Sequence, residues 1–122
     1  MAKIQRGLDN VPSRRLGSAY KDLVWAVGMS DDFTLPVQDQ ALRAFRNLDK
    51  VLADLGADKS RIVSATVLLN DIENKPLTDK IWVEWIGDNP DHWPERSCHG
   101  VALHAGNQIE IRVVAVRDDA EG

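Results

Sequence analysis

The chain has 122 residues and a formal net charge of −4, with 43% apolar and 28% charged residues. That balance describes a globular domain with a core of its own and excludes a disordered segment. The acidic sign argues against nucleic acid or an anionic membrane as partner, because both demand a clustered basic face, and Arg14-Arg15 is the one basic doublet. A single domain over residues 1–122 is expected from the length. The lone cysteine, Cys98, allows no intrachain disulfide and no multi-cysteine zinc site, and it fits a reducing compartment. No run looks like a leader or reaches the ~18 apolar residues of a membrane span, so the expected location is the cytoplasm. His92, His99 and His104 lack the helical spacing of a ligand pair, so no metal site is expected.

Residues 1–17, with Gly7, Pro12 and Gly17, read as a weakly paired N-terminal arm. "SAYKDLVWAVGM" (18–29) holds two short apolar runs split by Lys21-Asp22, the pattern of a hairpin. "SDDFTLP" is a loop. From Val37 the period changes: Leu42, Phe45, Leu48, Leu52 and Leu55 recur at three and four residues, predicting an amphipathic helix that ends at Gly56. "SRIVSATVLLND" (60–71) is rich in β-branched residues and predicts a strand. "NKPLTDKIWVEWIG" predicts a second helix, with Pro76 in its first turn, Gly87 past its end, and Leu77, Ile81, Trp82 and Trp85 on its apolar face.

"WPERSCHGVALHAGNQIEIRVVAV" (93–116) supplies two more strands around a Gly-containing turn. The order ββ-α-β-α-β-β predicts an α+β domain, one sheet with both helices on one face. Its last strand is apolar on both faces, which calls for an oligomer to cover the second face. Alternation puts Arg96, Cys98 and Gly100 on one face, and Glu110, Arg112, Val114 and Val116 on one face of the last strand. Read as an antiparallel hairpin, the two strands leave Arg96 and Glu110 ~13 Å apart. Such residues also have ordinary uses: an exposed ion pair, and for a strand cysteine, a small hydrophobe.

Several segments resemble the RidA (YjgF-type) family of enamine/imine deaminases. "NLDKVLADLGADKSRIVSATVLLND" is similar to the family's helix-Gly-strand unit, "DKIWVEWI" to its second helix, and "PERSCHGVAL" and "QIEIRVVAV" to its Pro-x-Arg-Ser-Cys and Ile-Glu-Ile signatures. The resemblance implies a chorismate-mutase-like fold and a homotrimer with a ligand cleft at each subunit interface. It implies that Arg96 grips the carboxylate of a 2-imino or 2-oxo acid, that Cys98 lines the cleft, and that Glu110 activates water for attack on C=N, without metal or cofactor. Val27 stands where the family has a pocket-lining serine, Asp79 where an asparagine is common, and Arg112 where a second glutamate is frequent. These departures mark a divergent branch. Two functions follow: hydrolysis of reactive 2-imino acids, or a non-catalytic trimer that binds a small carboxylate. A nuclease, the third alternative, lacks a basic groove.

Overall fold

The computed structural model describes residues 2–8 and 10–118. Among these residues eight strands and two α-helices carry the fold. The arm forms β1 (Gln5–Arg6), β2 (Asn10–Val11) and β3 (Arg14–Arg15); β4 (Gly17–Tyr20) and β5 (Leu23–Met29) make the expected hairpin around Lys21-Asp22. Helix α1 spans Val37–Asp54, β6 Ile62–Leu69, α2 Lys75–Ile86, β7 Glu95–Gly100 and β8 Ile109–Val116. Among the described residues, six strands form one mixed sheet in the order β1-β4-β5-β8-β6-β7, and β2 and β3 form a separate two-stranded sheet. Both helices lie on one face, as the α+β reading requires.

The hairpin expected at the C-terminal end does not form. β7 pairs in parallel with β6, and β8 lies on the other side of β6, antiparallel to both β6 and β5. The reason is connectivity. β6, α2 and β7 make a strand-helix-strand unit, which joins parallel neighbours. Residues 101–108 then carry the chain across β6 to its far side. Composition agrees: β7 carries Glu95, Arg96 and His99 and takes the sheet edge, whereas β8, apolar on both faces, takes the centre.

The core lies between the sheet and α1. Leu48, Leu52, Ile109, Ile111 and Val24 are fully buried there. Helix α1 runs so close over β5 that a Cβ on Gly28 would stand 2.5 Å from the Ala44 carbonyl oxygen and 2.6 Å from Leu48 Cβ. Only glycine permits that approach. Leu42, expected in the buried stripe, is 49% exposed, because it sits at the outer rim of the α1–α2 seam beside Phe45, Ile81 and Trp85. The sheet-facing position of that first turn belongs to Gln40 instead. Its amide donates to the carbonyls of Phe33, Leu35 and Gly106 and accepts from the Gln108 N–H, tying the loop before α1 to the crossover before β8. Gly56 leaves α1 at φ +82°, as the C-terminal glycine was expected to do.

Candidate functional site

Strand β7 places Arg96 and Cys98 on the helix-bearing face, since Arg96 is level with Ala65 and, one strand further, Val113, both buried. Arg96 emerges at the sheet edge under α2. Its guanidinium stacks over Trp82, 5.0 Å from the ring centroid, and donates Nη2 to Asp79 Oδ1 at 2.9 Å. Trp82 is held in turn by Phe45 of α1 and by Trp85, at centroid distances of 6.1 and 5.5 Å. The cation is thus fixed on an aromatic shelf built from both helices. Its other nitrogens have no hydrogen-bond partner among the described residues, and 21% of the side chain is exposed. Two of the predicted site residues, Arg96 and Asp79, are therefore in direct contact.

Lys75 completes the cluster. One helical turn before Asp79, it donates Nζ to Asp79 Oδ2 at 2.6 Å. Burial alone would raise the Asp79 carboxyl; the hydrogen bonds from Lys75 and Arg96 outweigh it and hold the group below the usual carboxylate range. Cys98 lies within the field of the same three charges. Burial pushes its thiol up, so at neutral pH it is a thiol rather than a thiolate nucleophile. Lys75 was missed in the sequence, although a lysine four residues before an aspartate on one predicted helix is a visible signal.

Glu110 lies elsewhere. It is level with Leu68 and Met29, between the fully buried Ile109 and Ile111, and so projects from the opposite face of the sheet. From Arg96 it is two strands across and three residues along, about 14 Å at ordinary strand spacings. Its Oε2 accepts from Arg112 Nη1 at 3.2 Å, and its side chain is 18% exposed. Val27 is on this open face too, level with Arg112. It lines a cavity of about 360 Å³ with Arg15, Ser18, Trp25, Thr66 and Arg112, which neither Arg96 nor Glu110 enters. The single chain thus gathers Arg96, Asp79 and Cys98 at one edge and Glu110 and Val27 on the other face. Among the described residues no three His, Cys, Asp or Glu side chains gather to hold a metal ion, and no helix is long and apolar enough to cross a membrane.

Comparison with known proteins gives this arrangement a lineage. The family described as Endoribonuclease L-PSP matches residues 27–117, three quarters of the chain, which therefore belongs to it. A human relative, named 2-iminobutanoate/2-iminopropanoate deaminase, is 33% identical over 82 residues, covering 66% of this chain and 58% of the human protein. A RutC family protein of Haemophilus ducreyi is 29% identical over 98 residues, covering 79% of this chain and 82% of that one. The crystal structure of yeast Mmf1 has the same fold, with a TM-score of 0.85 over 95% of this chain and 100% of that one at 21% identity. The resemblance read from the sequence is correct at the level of family and fold.

Proposed function

We propose that the chain hydrolyses reactive 2-imino acids, and their 2-enamino tautomers, to 2-oxo acids and ammonia, as a homotrimer with its clefts between subunits. The observation that carries this reading is Arg96. A guanidinium held on Trp82 at a sheet edge, with N–H groups still unpaired, is a ready anchor for a carboxylate. The deaminase name of the human relative supplies the substrate class. The two-sided layout supports a composite cleft: Arg96 at the edge of one subunit would face Glu110 and Val27 on the open face of its neighbour. The exposed Leu23 and Trp25 on that face give the neighbour an apolar surface to cover.

In this scheme the anchored imine turns its C=N carbon toward a water held by Glu110. The carboxylate takes a proton as the water oxygen bonds to carbon, and the C=N electron pair moves to nitrogen. Glu110 returns its proton to that nitrogen, which gives the carbinolamine; the hydroxyl proton then passes through Glu110 to the amino group, the C–N bond breaks, ammonia leaves, and the oxygen becomes the ketone of the 2-oxo acid. The test is Glu110→Gln, with imine generated in situ by an amino-acid oxidase. Loss of a general base lowers turnover by ~10²–10⁴-fold. Equal turnover in the parent and the Gln variant overturns the assignment of Glu110. One observation favours a second reading, the non-catalytic carboxylate binder: Arg112 already engages the Glu110 carboxylate. Absence of turnover in both proteins, with carboxylate binding intact, selects that reading.

A further inference from the structure

We infer that Asp79, tethered by Lys75, acts as a built-in counter-ion that makes the Arg96 site selective for ligands bearing one carboxylate and against those bearing two. This rests on the proposed role of Arg96 as carboxylate anchor. The geometry is that of a linked triad. Asp79 Oδ1 takes one edge of the Arg96 guanidinium at 2.9 Å, and Oδ2 is bonded to Lys75 Nζ at 2.6 Å. An arriving carboxylate therefore meets a guanidinium with one nitrogen engaged and takes the nitrogens that Asp79 leaves. The Lys75 bond restrains Asp79, so it shares Arg96 with the ligand instead of swinging away into water.

Charge then sets the preference. Two cations and one anion leave the triad at +1. A monocarboxylate brings it to neutrality. A dicarboxylate brings a second negative charge beside a fixed aspartate, with no unspent cation in the triad to receive it. The cluster is partly buried, with the Asp79 and Arg96 side chains 31% and 21% exposed, so like charges repel more strongly than in open water. A neutral amide at residue 79 would leave the triad at +2 and remove that repulsion. The substrates that fit are imines derived from amino acids with uncharged side chains. Imines of acidic amino acids are disfavoured.

The experiment measures binding by calorimetry on the full chain, using pyruvate as the 2-oxo monocarboxylate and 2-oxoglutarate as the dicarboxylate. The parent should prefer pyruvate. Asp79→Asn should tighten 2-oxoglutarate more than pyruvate and shift the ratio of the two affinities by about tenfold, an effect that weakens with added salt. Lys75→Gln tests the opposite sign: the triad falls to neutral, both ligands weaken, and 2-oxoglutarate weakens more. Circular dichroism confirms that each variant is folded, and either variant alone decides the question if the other is not. An unchanged ratio in a folded variant overturns the role of Asp79 and leaves the carboxylate anchor standing. Full pyruvate affinity in Arg96→Ala, or no binding of either ligand by the parent, overturns the anchor itself and this inference with it.

Discussion

The two faces of the sheet are built from the same strands by simple alternation, yet they are different surfaces. The face under the helices is closed: Val24, Ala26, Val67, Ile111 and Val113 belong to the packed core, and none is more than 4% exposed. The other face mixes Trp25 and Leu23, 44% and 38% exposed, with Arg112, Thr66 and Ser64 around an open cavity. A closed face obeys packing density, where a missing methylene is felt throughout its neighbourhood. An open face obeys association, where a residue contributes nothing until something covers it. Substitutions on the two faces should therefore act on different equilibria.

The largest effect is expected on the closed face. Leu48→Ala removes a fully buried side chain from beneath the closest approach of α1 to β5 and should cost about 2–5 kcal/mol of folding stability, read by urea denaturation. On the open face, Trp25→Glu should move the stability of the isolated fold by no more than about 0.5 kcal/mol. Under the proposed assembly it should instead cost about 2 kcal/mol or more per interface, as for a buried aromatic anchor. Sedimentation at micromolar concentration checks this: the parent should run as a trimer and the variant as a monomer. A parent that is already monomeric removes the composite cleft. A variant that loses its fold along with its assembly erases the contrast between the faces.

Much of this was legible in the residues. The Leu48, Leu52 and Leu55 spacing marked α1, Gly56 stood at its end, and alternation put Arg96 and Cys98 together on one face of their strand. What alternation alone does not supply is which strands are neighbours. Two strand-like runs joined by a loop with Ala105-Gly106 resemble a hairpin, and the pairing depends instead on α2 acting as a crossover, which is a long-range property. The charge on β7 was the local sign of an edge. With the hairpin set aside, Arg96 and Glu110 part to opposite faces, and Arg96 gains Asp79 as its partner. Gln40 was illegible for another reason. A polar residue in a helix reads as solvated, and nothing nearby in sequence signals the three carbonyls that converge on it from two loops.

The smallest effect belongs to the turn that delivers the chain from the closed layer into the sheet. After α1, a short 3₁₀ turn, Lys59–Arg61, leads into β6, and the Asp58 carboxylate caps it by accepting from the Ser60 N–H at 2.8 Å and from the Ser60 hydroxyl. The Ser60 hydroxyl bond is the main reason the Asp58 carboxyl stands below its usual range. A carboxylate with a depressed folded value stabilises the fold above its unfolded value, near about 3.9, and loses that contribution as pH falls through the lower folded value. Asp58→Ala should therefore cost about 1 kcal/mol at neutral pH, the ordinary worth of such a cap. Asp58→Asn, which keeps an acceptor oxygen, should cost less. Below about pH 4 the stability curves of the parent and the Ala variant should converge, because the parent's carboxylate is then being protonated. A gap between them that stays constant from pH 7 to pH 3 would mean that the charge of Asp58 contributes nothing and that the turn is held by its backbone alone.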